Sequence, residues 1–371
     1  MKSVASGLSH GPRAEAAHAA RAVRAAMKRA GLTRANGVLL FLTPHYARDP
    51  SAALRAAARE SGTLAIAGCT AAGVLTEDDW LLDAPGAAAM VFGGRFGFPL
   101  RPDEPAGNSA HAPVISFVTP TGMNAEWLDR PVARLGAVSG DLTGSGPFRV
   151  FANCRVADSG HAELLITNTR AGVAVSQGVR ALTSPIEIAD VNGYDLLKLG
   201  NYPALNVLVK SLPTEVRAKG QIPLHLLMGG VALGDPQTAI REGRFRLNHI
   251  VAANPKEQSI TLATRPSRGE KLFWAMRDAI VAERDMRLAV MRAAGQLQGR
   301  PDFALLFPCM GRGPGFYGPR DRDVDCLRAS FPNLPFIGFY GNGEIGPLDD
   351  ENHLYQYSTV VGLFREQHPH A

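Results

Sequence analysis

No apolar run in the chain reaches the roughly eighteen residues that a membrane-spanning helix requires. The longest candidates, such as Gly37 to Thr43, have strand length, so no membrane partner is expected. Cysteine is scarce. The four thiols, at 69, 154, 309 and 326, show no C-x-x-C spacing, which signals neither a zinc site nor a disulfide framework and fits reduced thiols in a cytoplasmic protein. No glycine-rich segment carries the Lys-Ser/Thr of a P-loop or opens a helix as G-x-G-x-x-G, so neither a nucleotide cofactor nor a metal is expected. The N-terminus lacks the apolar core of a secretory signal; Arg13 to Ala30 keeps Glu15 and a periodic apolar stripe, which predicts a folded helix. A net charge of +5 is scattered among acids without a basic, aromatic-interleaved stripe, which argues against a nucleic-acid partner.

What the chain does contain is enough apolar sequence, 46% of 371 residues, for a sizeable core and more than one domain. It also contains a repeat. Gly37 to Leu75 runs in parallel with Phe303 to Gly346: an apolar strand, a Pro-containing loop, a short helix bearing Leu54 or Leu327, a second apolar strand, then a glycine turn, Gly68-x4-Gly73 or Gly338-x4-Gly343. Each copy is preceded by a helical stripe, Ala16, Ala20, Val23, Met27, Ala30 in one and Leu272, Met276, Ala279, Met286, Val290, Ala293, Leu297 in the other. Between the copies lie alternating segments such as "PVISFVT", "FRVFANCRV" and "GVAVSQGV" that read as strands and hairpins. The expected fold is α/β or α+β, with mixed sheets flanked by helices and two pseudo-symmetric repeats, about 3–94 and 259–364, around a central β-rich region.

Glycines at both ends of a turn let the backbone approach a ligand and aim successive N–H groups at it. Gly68, Cys69, Thr70 and Gly73 therefore form one candidate binding loop, and Gly338, Tyr340, Gly341, Asn342, Gly343 and Glu344 the other. The plainer alternative is a pair of tight turns. Glu344 reads as a solvated turn carboxylate or as the partner of a ligand amine; no second titratable group stands beside it as acid–base catalysis requires. Cys69, with His45 in the preceding loop, could be an activated thiol, but its repeat partner is Phe339 and no dependable base is visible, so it is expected to titrate normally and not to be catalytic. In "PCMGRGPGFYG", Cys309, Gly311, Arg312 and Tyr317 suit a pocket for a carboxylate-bearing ligand. The outer arginines of "PRDRDVD" read as a surface with internal ion pairs.

Taken together, "IAGCTAAGVL", "VSQGVR", "LLFPCMGRGPGFYG" and "PFIGFYGNGEIGPL…NHLYQYSTVVGLF" resemble the FIST family over nearly the whole chain, the G-F-Y-x-x-G-E-I-G-P block being the most specific element. The resemblance implies an N-terminal FIST domain over 1–196 and a C-terminal one over 197–371. It further implies a sensory module of intracellular signalling that binds a small metabolite, with amino acids as the proposed ligands, and it supplies no catalytic residues. Neither an F-box nor an output domain, to which related modules are joined, is expected here, so a separate signalling partner is. Two alternatives remain beside this reading, an enzyme using Cys69 or Cys309 and a protein-interaction scaffold. On the sensor reading, Glu344 and Arg312 share a solvent-reachable pocket and hold the amine and carboxylate of one ligand, with Tyr317 and Tyr340 as walls.

Overall fold

A computed structural model describes residues 3–99, 112–218, 220–348 and 351–367. Strand β1 (Val4–His10) leads into helix α1 (Ala16–Ala30), whose apolar stripe, Ala19, Ala22, Val23, Ala26, Met27 and Ala30, is buried and which Gly31 ends in the left-handed conformation. A strand–helix–strand unit follows: β2 (Gly37–Leu42), α2 (Ser51–Ser61) and β3 (Ile66–Thr70), then the hairpin β4 (Gly73–Thr76) and β5 (Trp80–Leu82), then β6 (Gly86–Phe92). β2 runs parallel to β3 and antiparallel to β6. The same plan recurs in β7 (Val114–Val118), α3 (Ala125–Leu128), β8 (Arg134–Val138), the hairpin β9 (Val150–Ala152) and β10 (Arg155–Val156), and β11 (His161–Leu164), with β7 parallel to β8 and antiparallel to β11. Strand β12 (Thr169–Ser176) closes this stretch.

Residues Gln177–Asp285 form a body of their own, separate from Met1–Ser176 with Met286–Ala371. It contains β13 (Val179–Ala181), β14 (Ile186–Asn192), β15 (Asp195–Leu199), β16 (Tyr202–Pro203), helices α4 (Ala204–Ser211) and α5 (Thr214–Arg217), β17 (Leu227–Ala232), α6 (Ala239–Glu242), β18 (Phe245–Asn254), β19 (Ser259–Leu262) and β20 (Lys271–Arg277). Its antiparallel strands run β20-β14-β15-β19-β18-β17, and β17 pairs back onto β20, so the sheet closes into a small barrel. Ile188, Leu196, Ile260, Leu272 and Trp274 fill it, together with Leu205 and Leu208 of α4.

Beyond the barrel come α7 (Ala279–Gly295), β21 (Phe303–Pro308), α8 (Pro314–Tyr317), α9 (Arg322–Ser330), β22 (Phe336–Tyr340), the hairpin β23 (Glu344–Leu348) and β24 (Glu351–Tyr355), and β25 (Thr359–Glu366). β21 is parallel to β22 and antiparallel to β25, which pairs with β12 as β6 pairs with β1. The larger body thus holds three copies of one plan. In each, the hairpin leaves its own sheet and extends the next: β4 pairs with β22, β23 with β8, and β9 with β3. The three sheets form a ring in which each lends its hairpin to a neighbour.

Register makes the copies comparable residue by residue. Gly68, Gly136 and Gly338 face Leu40, Ser116 and Leu306 across their parallel pairs, and a Cβ at any of the three would collide with that partner's carbonyl oxygen. Phe41, Phe117 and Phe307 each follow the facing residue, and they meet one another edge-on at centroid distances of 5.2, 6.3 and 6.1 Å, with Phe339 among them at 4.8 to 5.9 Å. Burial on both faces explains why these strands read as continuous apolar runs such as "GVLLFL" and "FALLFP".

The fold is α+β with mixed sheets, and the two expected repeats share their topology. Three details differ. The strand before the second copy's helix is β12, separated from α7 by the barrel, and Leu272 and Met276 lie in β20, so that helix begins only at Ala279. Gly68 and Gly338 sit inside strands and not in turns, because close approach of the parallel partner requires a residue without a side chain there. The middle copy is not visible as a repeat in the sequence, its helix α3 being a single turn.

Candidate functional site

The three copies differ most in polarity at the C-terminal ends of their strands. Glu344, on β23, lies opposite Ala137, as Val74 lies opposite Phe339 and Val150 opposite Cys69, so the same place in the plan holds valine twice and glutamate once. Cys309 donates its backbone N–H to the carbonyl of Ser358, as Thr43 does to Gly86 and Thr119 to Gly160, so serine stands where the other copies have glycine. Thr359 corresponds to Ala87 and His161, and Tyr340 to Thr70 and Val138. At these places the third copy alone carries a carboxyl group.

Those groups form a buried network. Asp321 caps α9, its Oδ1 accepting from the N–H of Asp323 (2.9 Å) and Val324 (3.1 Å), while its Oδ2 accepts from the Tyr340 hydroxyl at 2.6 Å. Arg312 forms an ion pair with Asp323, Nε to Oδ2 at 2.9 Å and Nη2 to Oδ1 at 3.2 Å, and donates to the Ser176 carbonyl (2.7 Å) and hydroxyl (2.6 Å). Asp323 also accepts from Tyr317 (2.8 Å) and Thr359 (2.6 Å). Just ahead of β25, the Ser358 hydroxyl donates to Oε2 of Glu344 at 2.7 Å.

Glu344 has no exposed surface, and its Oε1 has no hydrogen-bond partner, the neighbouring Cys309 thiol being a weak donor. Burial pushes its carboxyl well above the usual range, opposed by hydrogen bonds from the Ser358 side chain and backbone, by the weak Cys309 thiol contact and by the Arg312 charge. Burial, joined by the charge of Asp323, raises Asp321 to about 6. Burial and then the adjacent Glu344 push the Cys309 thiol up. The arrangement can hold a neutral carboxylic acid and offer one open oxygen; it does not activate a thiolate.

Several sequence expectations change here. Glu344 is not a solvated turn residue, and Arg312 is buried and already engaged by Asp323, Ser176 and Tyr317, so neither faces an open pocket. The walls, Tyr317 and Tyr340, are hydrogen-bonded to Asp323 and Asp321. The "PRDRDVD" run is only partly a surface: Arg320 and Arg328 pair with Asp325, but Asp321 and Asp323 point inward. Cys69 does not titrate normally, because it points into the apolar core and burial raises its thiol. The structure therefore brings together Cys309, Arg312, Tyr317, Tyr340 and Glu344, with Gly73 paired against Tyr340. Gly311 packs on the Tyr357 ring, Gly341 donates to the Pro308 carbonyl, Asn342 lies against Gly140, and Gly343 receives the Val138 N–H. Gly68, Cys69 and Thr70 belong to the first copy's own strand β3. Ser176, Asp321, Asp323, Ser358 and Thr359 were missed; an aspartate in the N-cap position of α9 was the one local signal available.

Two clefts lie elsewhere in the larger body. One of about 690 Å³, lined by Val4, Phe96, Arg300, Asp302, Leu334 and Glu366 among others, opens at the N-terminal ends of β21 and β22. Another of about 380 Å³ lies between Pro44, His45, Asp83 and Asp141–Thr143.

Family comparison agrees with the motifs in this region. A FIST N domain matches residues 36–201 and a FIST C domain residues 204–347. The chain belongs to the FIST family. FIST domains are associated with sensing in signal transduction, and Glu344 and Arg312 both fall within the FIST C segment. The two segments meet inside the barrel, so family segments and compact bodies divide the chain differently. Among similar proteins, an uncharacterized protein of Mycobacterium tuberculosis is 27% identical over 385 residues, covering 96% of this chain and 98% of its own. An uncharacterized protein of Mycobacterium bovis is 30% identical over 254 residues, covering 67% and 65%. F-box only protein 22 of Homo sapiens is 31% identical over 74 residues, covering 16% and 18%. Among the described residues, no helix is long and apolar enough to cross a membrane.

Proposed function

We propose that this FIST protein is a sensory module that binds a small metabolite at the Glu344 cluster of its third copy and passes its state to a separate signalling partner. The family's association with sensing supports the class of function. One observation supports the place: a fully buried glutamate with an unpartnered oxygen stands where the two other copies carry valine. A buried carboxyl of this kind opposes folding, and a scaffold that builds the same position apolar twice has no structural need for it. Among the described residues no disulfide joins the four cysteines, which fits action in the cytoplasm. A thiol enzyme is the weaker reading, since Cys69 and Cys309 are both buried and held as thiols.

The test is native mass spectrometry of the protein purified without denaturation, beside its Glu344→Val variant. We expect a small molecule retained by the wild type and lost from a folded variant. Equal retention by both overturns the placement.

A further inference from the structure

Resting on that reading, we propose that the cluster takes a small organic cation, a primary ammonium or an amidinium group, which donates to Oε1 of Glu344 as the carboxyl releases its proton to solvent. No covalent bond of the ligand is made or broken: a neutral carboxyl and a cation become a carboxylate–cation pair and one free proton.

Charge in the cluster points this way. Three carboxyl groups, on Asp321, Asp323 and Glu344, are buried around one guanidinium, that of Arg312. Arg312 is balanced by Asp323. Among the described residues neither Asp321 nor Glu344 has an ion-pair partner, and such acids stay buried only with a proton or with a cation brought from outside. Asp321 has both oxygens filled by neutral donors, which leaves Oε1 of Glu344 as the one unmatched carboxyl oxygen of the three.

The same geometry disfavours an anion. A ligand carboxylate needs donors, and the guanidinium that would recognise it is held by Asp323 and Ser176, while the other carboxyls would repel it. Around Glu344 stand Cys309 and Arg312 from the segment after β21, Tyr355 from β24 and Ser358 ahead of β25; Ala137 opposite on β8 adds no charge. Size follows from burial: Cys309 is 8% exposed while Glu344 and Ser358 are 0%, so only a small group reaches Oε1 without large displacement of its neighbours. A ligand's ammonium end fits there better than a branched or zwitterionic head.

Methylammonium chloride serves as the probe, with acetate and acetamide as anionic and neutral counterparts of similar size. Two heavy atoms limit the affinity to the millimolar range, so calorimetric titration runs to about 50 mM at constant ionic strength. Repeating it in phosphate and in HEPES, which differ in ionisation heat and carry no primary ammonium, counts protons. We expect methylammonium to bind with one proton released. Its affinity should rise about tenfold per pH unit while Glu344 is neutral in the free protein, and fall at least tenfold in Glu344→Gln and Glu344→Val, both shown to be folded by circular dichroism. No methylammonium binding at 50 mM, binding without proton release, or preference for acetate or acetamide overturns the cation. If the wild type nevertheless retains a co-purified molecule that Glu344→Val loses, the small-ligand reading stands without it; if nothing bound depends on Glu344, that reading falls too.

Discussion

Replacing Glu344 by valine, the residue at the corresponding place in the two other copies, should stabilise the ligand-free protein. In the native state Oε1 is buried without a partner, which costs about 1–3 kcal/mol, and the bond from Ser358 returns about 1 kcal/mol. Valine removes both terms and adds apolar contact, at the price of a small void and an unpaired Ser358 hydroxyl. The net expectation near pH 5 is close to zero. It grows with pH, and the sign follows from linkage: below about 4.5 the glutamate is neutral whether folded or unfolded, but above that the unfolded carboxyl ionises while burial holds the native one protonated. Stability present at low pH is therefore lost as pH rises toward the raised native value, by up to about 1.4 kcal/mol per unit. The variant lacks this loss, so its advantage should widen from pH 5 to pH 8, appearing as roughly 2–4 °C of melting temperature per kcal/mol. Urea unfolding of wild type, Glu344→Val and Glu344→Gln at several pH values measures it. A valine variant that is destabilised by more than about 2 kcal/mol at every pH, with a slope matching the wild type, would refute the reasoning and make Glu344 a structural residue.

Arg312→Met should be far more damaging, losing about 3–5 kcal/mol by urea unfolding, because it strands Asp323 as a buried charge; Arg312→Met with Asp323→Leu should recover much of that loss. Cys69 should resist iodoacetamide in the native protein at neutral pH and react only on unfolding, as mass spectrometry of the labelled cysteine would show; rapid native labelling would contradict its place in the core. Gly136→Ala should destabilise as strongly as Gly68→Ala and Gly338→Ala, by more than about 2 kcal/mol each in thermal unfolding, since all three face a carbonyl oxygen across a parallel pair; a tolerated Gly136→Ala would separate the middle copy from the others.

The strands and the paired repeats were legible because both faces of β2 and β21 are buried, which writes them as unbroken apolar runs with a glycine at the matching place in the next strand. The middle copy was not, since Val114–Val138 carries only a one-turn helix between its parallel strands. Residues 271–277 were drawn into a helix because the apolar spacing of Leu272, Met276 and Ala279 suits one; pairing with β17 and β14 decides otherwise, and pairing across the barrel is invisible to local periodicity. The site was half legible. Glycine-rich context singled out Glu344, Cys309 and Arg312, but Asp321 and Asp323 alternate with arginines and look like a surface run until α9 turns them inward.

The ring of three lent hairpins supplies a control that a sequence of this kind rarely offers. Wherever all three copies agree, as in Phe41, Phe117 and Phe307 or in the three glycines, the shared requirement is the packing of the ring itself. Where one copy departs, packing no longer explains the choice. The third copy departs at three neighbouring places where the other two agree, with Glu344 for valine, Ser358 for glycine and Cys309 for threonine. A single departure would be drift; Glu344 and Ser358 depart as a hydrogen-bonded pair beside the network of Asp321, Asp323 and Arg312, and a half-satisfied buried network is worse than an apolar one. All of its oxygens but one are satisfied, and that exception, Oε1 of Glu344, is where a ligand has something to complete.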